Sequence, residues 1–250
     1  MARGFEVTTG LVMQQGLFEE SVTAKHRLGT RVQLADGRVF YYALNGAAEL
    51  AAGKVAIAPS VTTTADWTAM VVAIGASVGG KTVSVTAGGT DAIVAGWFAE
   101  GFLGTSATPG HGYNYKIKAN TAAVVTADAV LTLYDPVQVA ITTSTTVTMV
   151  ASPFRGLVIS AASGDTAMGI PTRAVTAANY FWLQTWGIAQ CLSNGGAAKS
   201  VMLGADTTGD SVIYWASDTT ALNAASIIGR QHALTGITAE YNPIFLTILP

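Results

Sequence analysis

The sequence predicts an all-β protein, with sandwich or barrel-like β domains of short antiparallel strands behind an extended N-terminal arm. Three observations carry this expectation. Short runs rich in Val, Ile, Thr and aromatic residues recur along the 250 residues. Turn residues (Gly-Gly, Asp-Gly, Pro-Gly, Asp-Pro) separate them at intervals suited to sandwiches and barrels. Only Asp66 to Ile74 and Thr219 to Ala225 could be helical, and neither is convincingly capped.

The elements follow in order. Residues 1–30 lack a sustained period, because Gly4, Gly10 and Gly16 interrupt the apolar Phe5, Leu11, Met13, Leu17 and Phe18. Large apolar side chains in an irregular stretch predict an arm lying on a surface, its own or a neighbour's. Arg31 to Tyr42 reads as a hairpin: Asp36-Gly37 supplies a tight turn, and Val32, Leu34, Val39 and Tyr41 alternate around it. Ala43 to Gly46 reads as a closing turn, and Gly46 to Val55 as one or two helical turns.

Strands are then expected at Val71–Ile74, Thr82–Thr86, Tyr113–Ile117, Val130–Tyr134, Val137–Thr142 and Thr145–Val150. A boundary near Pro153 closes a β-rich domain over residues 31–152. The C-terminal β-rich domain, 153–250, has strands at Tyr180–Trp186, Ile188–Leu192, Ser200–Leu203, Ser211–Trp215 and Ile244–Leu249, with Ser193 to Gly196 as a hairpin turn.

Composition narrows the function. Only 11% of residues are charged, against about 25% in an ordinary soluble domain. A chain so poor in charge suits a surface covered by copies of itself or by a partner lattice. The formal net charge of −2 gives no basic face for bulk phosphate binding. One cysteine, Cys191, excludes an intramolecular disulfide. The N-terminus does not read as a signal peptide, and no apolar run is long enough to span a bilayer as a helix. A soluble protein is expected.

Two motifs suggest chemistry. Gly75-Ala-Ser-Val-Gly-Gly-Lys81-Thr82 matches G-x-x-x-x-G-K-[ST], and Val130 to Asp135 could stand as the strand ending in a metal-binding acid. A phosphate loop needs a helix behind it. Here Val83-Ser-Val-Thr follows, β-branched and alternating, so a hairpin turn at Gly79-Gly80 is the preferred reading. Gly75-Ala-Ser77-Val-Gly79 matches a nucleophile elbow, which fails on the same missing helix, although His111 and His232 could serve as bases. The three histidines are isolated, and Asp206 to Asp210 with Asp218 reads as a turn more readily than as a calcium loop. No cofactor or metal is expected.

Tyr180, Phe181, Trp182, Trp186, Tyr214 and Trp215 form the aromatic concentration of the chain. Core or subunit interface suits them better than base or sugar stacking. Lys25, His26, Arg27 and Arg31 make one local basic patch. The expected partner interface therefore comprises Phe5, Leu11, Met13, Phe18, Lys25, Arg27, Trp182 and Trp186.

The runs Lys81-Thr-Val-Ser-Val-Thr-Ala-Gly-Gly-Thr, Gly101-Phe-Leu, Gly110-His-Gly-Tyr-Asn-Tyr-Lys-Ile-Lys, Leu131-Thr-Leu-Tyr-Asp-Pro-Val and Tyr180-Phe-Trp-Leu-Gln-Thr-Trp-Gly resemble a family of tailed-bacteriophage structural proteins of the capsid decoration (cement, auxiliary head) type. The resemblance covers most of the chain from about residue 20 onward. It implies a non-enzymatic virion protein on the outer capsid surface, made in the host cytoplasm. The implied partners are the major capsid protein and the chain itself, as a homotrimer, with no direct nucleic-acid or membrane binding. A tail or head-fibre module that binds host glycans is the alternative, and a P-loop NTPase or serine hydrolase a remote one. The motifs are turns and strands, so no site residues carry over.

Overall fold

The computed structural model describes residues 12–59, 67–160, 166–195, 198, 200–205, 212–214, 227–232 and 235–250. The strands are β1 (Arg31–Gln33), β2 (Val39–Asn45), β3 (Ala56–Ile57), β4 (Met70–Ile74), β5 (Thr82–Thr86), β6 (Phe102–Thr105), β7 (Asn114–Asn120) and β8 (Asp128–Leu133). They continue with β9 (Thr146–Val150), β10 (Arg155–Ile159), β11 (Ala167–Pro171), β12 (Tyr180–Ser193), β13 (Met202–Ala205), β14 (Val212–Tyr214), β15 (Ile227–Gln231) and β16 (Glu240–Thr247). The fold is all-β. Two compact units form, one from Met1–Pro59 with Pro153–Pro250 and the other from Ser60–Ser152.

The inserted unit is a closed barrel in the order β4-β5-β8-β7-β6-β9, with β9 returning to β4. Every pair around it is antiparallel. Alternation fills its interior: Val72, Val83, Val85, Leu103, Ile117, Leu131, Leu133 and Val147 all point inward. Closure leaves the barrel without an open sheet edge.

The discontinuous unit is organised by β12, which is long enough to serve two groups of strands. Its first half pairs with β2, and β2-β10-β3-β11 leads back to β12. Its second half pairs with β16, and β16-β15-β13-β14 again leads back. Two pairing circuits therefore share one strand. Gly187 sits at the change of partner with φ of +87°, a left-handed conformation that only glycine adopts at little cost. A Cβ there would also meet Arg38 Cγ at 2.9 Å.

The Asp36-Gly37 hairpin forms as expected, joining β1 to β2 in the register Val32↔Phe40. Burial along β2 differs from a simple alternation. Val39, Phe40, Tyr42 and Ala43 are all buried and Tyr41 is partly so, because both faces of β2 are covered. One face packs with Leu28, Phe154 and Leu183; the other packs with Leu17, Val32 and Trp182.

Several local expectations are corrected. Leu44 and Asn45 continue β2 instead of turning, and residues 46–55 carry no helix. Met70–Ile74 is strand, so the helix expected through Ile74 does not form there. Residues 137–142 are not a strand: Val137 N–H bonds Gly80 O, and Ile141 makes an isolated bridge to Ala76. The strands flanking Ser193 to Gly196 do not pair as a hairpin: Ser193 meets Val212, and β13 pairs with β14 and β15. The barrel ends beside the expected Pro153 boundary, but residues 31–59 belong with the C-terminal strands. The second helix expectation, Thr219 to Ala225, lies outside the described residues.

Candidate functional site

The phosphate-loop match is resolved by its amides. Ala76 N–H donates to Ile141 O at 2.9 Å, Gly79 N–H to Val137 O at 2.9 Å, and Gly80 N–H to Ser77 O at 2.9 Å. Lys81 Nζ donates to Tyr134 O at 2.7 Å. Thr82 opens β5, not a helix. A phosphate cradle needs converging free N–H groups and a helix dipole. Here those N–H groups are spent on protein carbonyls. Ser77 is exposed, and no described hydrogen bond joins its hydroxyl to a histidine.

The arm is the second element to build. Its described part, 12–30, docks on its own unit. Gln15 is 3% exposed and anchors it. Gln15 Nε2 donates to Glu19 O and Tyr180 O, while its Oε1 accepts from Tyr42 Oη and Ser21 Oγ, both at 2.7 Å. Trp182 Nε1 donates to Gln15 O at 2.9 Å. Ser21 adds a bridge to Tyr180, and Glu20 receives Arg173 Nη2 at 3.1 Å and Thr176 N–H at 2.7 Å. Burial tends to raise the Glu20 carboxyl pKa, but the Thr176 hydrogen bonds and Arg173 outweigh it and hold the group below its ordinary range.

His26 closes the arm. Its ring lies 5.2 Å from both the Tyr42 and Trp182 rings, and Nε2 accepts Gln14 N–H at 3.1 Å. Burial lowers its pKa, because desolvation penalises the imidazolium; the neutral ring is also the form that can accept the Gln14 N–H. The sign follows. A depressed folded pKa contributes stability above the unfolded value of about 6.5, lost as pH falls through the folded value. Lys25 and Arg27 adjoin His26 in sequence, and no carboxylate acts on its ionisation. The thermal midpoint should fall between about pH 7 and pH 5. His26→Gln, which keeps an acceptor but does not titrate, should flatten that fall. An unchanged slope would refute the role.

The expected interface residues separate accordingly. Phe5 and Leu11 lie outside the described residues. Met13 packs against the arm-side core, Phe18 is exposed, and Lys25 and Arg27 are exposed. Trp186 is half-buried, 5.7 Å from the Phe245 ring. Trp182 corrects the expectation: at 0% exposure it is enclosed by its own arm and cannot meet a partner in this fold.

Two features were missed at the sequence level. On the barrel, Phe102 faces Val150 and Gly104 faces Thr148, while Val71 pairs with Thr146 across β4, β9 and β6. Phe102, Val150 and Val71 are exposed, and the outer positions of these three strands carry no charged residue, although Lys116 of β7 borders the patch opposite Phe102. Strand alternation could have placed Val150 outward, but the short β6, half of it Gly and Thr, gave no strand signal. The second feature is a cavity of about 530 Å³ at the bend of β12, lined by Arg38, Gly53, Thr172, Gln184, Gln190 and Tyr241 among others. Its residues come from five separated segments and leave no local motif.

A tight titratable cluster also lies on the barrel. Glu100, at φ of +64°, pairs with Lys116 Nζ at 3.0 Å and accepts the Tyr134 hydroxyl. It ties the turn before β6 to β7 and the end of β8. Among the described residues no group of His, Cys, Asp and Glu could hold a metal ion, and no described helix is long and apolar enough to cross a membrane. Comparison with protein-family models, with curated proteins and with solved structures finds no match.

Proposed function

We propose that the chain is a non-enzymatic virion structural protein, a capsid decoration protein that binds the outer face of a major capsid protein shell and stabilises it, most simply as a trimer. The uncharged outer face of β4, β9 and β6 carries this reading. Interface cores are depleted in charge and enriched in aromatic residues, and Phe102, Val150 and Val71 present such a face on a rigid barrel. Repetition over a lattice turns a weak contact of this kind into firm attachment. Low overall charge and the family resemblance point the same way. Of the two tryptophans named for the glycan-binding alternative, Trp182 is enclosed and Trp186 is half-buried.

Quantitative mass spectrometry of purified particles, scaled to their major capsid protein, tests the reading. A ratio near one or a simple fraction of it is expected. A trace ratio would move the chain to a tail or vertex, and absence would remove it from the particle. Phe102→Glu should abolish attachment to shells with a modest loss of thermal stability and the barrel still folded, because the ring is 38% exposed and loses only its cross-strand contacts. Retained attachment would show that another face binds.

A further inference from the structure

The cavity at the bend of β12 is lined in part by polar groups whose hydrogen-bonding capacity the fold does not fully use. Gln184 lies on the strand just before the register shift between Gln184 and Trp186, and is 1% exposed. Its Nε2 is committed to Trp186 O at 3.2 Å and Ile188 O at 2.8 Å, which leaves the Oε1 carbonyl to accept from a ligand. Thr172 contributes a buried Oγ1 with no hydrogen-bond partner. A buried hydroxyl in that condition costs stability unless something else uses it. Tyr241 stands half-exposed on the rim, its ring packed against Gly53, where a Cβ would meet Tyr241 Cε1 at 2.6 Å. Ile170 and Ala189 supply apolar wall.

The charge of the site selects the ligand. Its one cationic lining residue, Arg38, is held by Asp36 at 2.7 Å, so an anion would find a compensated guanidinium. An aliphatic ligand would leave the Gln184 and Thr172 oxygens unmet. A compact molecule with an apolar face and several hydroxyls meets both conditions, and the volume is ample for one or two sugar rings.

We propose that this cavity binds a neutral saccharide, with a hexose ring against Tyr241 and its hydroxyls paired to Gln184 Oε1 and Thr172 Oγ1. The inference is independent of where the chain sits in a particle. It places sugar recognition at the β12 bend, away from the enclosed Trp182. Thr172 Oγ1 is enclosed in this structure, so the proposed pairing includes a turn of its side chain toward the ligand.

Saturation-transfer NMR titrations of the full chain with glucose, galactose and N-acetylglucosamine test it. At least one should bind at millimolar concentration. Tyr241→Ala should weaken that binding about tenfold through lost ring contact. Thr172→Val should weaken it about three- to tenfold, while its thermal midpoint stays level or rises, since no internal hydrogen bond is lost. That split separates a ligand group from a structural one. No binding by any of the three sugars, or unchanged affinity in either variant, overturns the proposal.

Discussion

Trp182→Ala should destabilise the unit built from Met1–Pro59 and Pro153–Pro250 by about 3–5 kcal/mol, the range for emptying a buried aromatic site. The indole is 0% exposed and packs with Leu17, Val32, Leu34, Phe40 and Tyr42. Its ring lies 5.0 Å from the Tyr42 ring in an edge-on arrangement, and its N–H holds the backbone of Gln15. Removing it opens a cavity beneath the arm and frees Gln15 O, which then needs water. Hydrogen exchange should quicken in peptides covering 39–45 and 180–186, with those of the barrel unchanged. Trp182→Phe, which keeps most of the ring volume but deletes the donor, should cost about 1–2 kcal/mol. Were Trp182 a partner contact, alanine would leave the isolated protein as stable as before and weaken only assembly.

That substitution also marks where sequence reading stops. The all-β class was legible because β-branched runs and turn pairs are local signals, and the β1–β2 hairpin and β5 stand where those signals put them. The Gly187 bend was half-legible: it reads as a break between two strands, when the same strand continues with new partners. The enclosure of Trp182 was not legible, because its lid is an irregular segment about 167 residues earlier in the chain. Periodicity assigns a strand two faces and cannot say that a distant arm covers the second. The cavity was hidden for a related reason. Thr172, Gln184 and Tyr241 are ordinary in their own segments, and only the β12 bend brings them together.

Gly75→Ala should cost about 3 kcal/mol, toward the upper end of overpacking penalties. A Cβ at Gly75 would meet Ile141 O at 2.0 Å and Thr142 Cα at 3.0 Å, so backbone must move. Moving it strains the reciprocal Ala76–Ile141 hydrogen bonds, both 2.9 Å, that fasten residues 137–141 to the barrel. Gly79 is a different case within the same motif. Nothing lies within 4 Å of its added Cβ, but its φ is +89°, so alanine there should cost about 1–2 kcal/mol of left-handed strain. Lys81→Ala removes one exposed bond to Tyr134 O and should cost about 0.5–1.5 kcal/mol. Chemical denaturation should therefore rank the three as Gly75 first, with Gly79 and Lys81 well behind. A phosphate loop would impose another order, because the lysine carries the ligand's charge and its loss would dominate any nucleotide readout. ATP-dependent stabilisation of the native chain that vanished in Lys81→Ala would return the loop to chemistry. Its absence, together with a steep Gly75 penalty, identifies Gly75 as the residue that lets two backbones pack at contact distance and Gly79 as the residue of a left-handed turn.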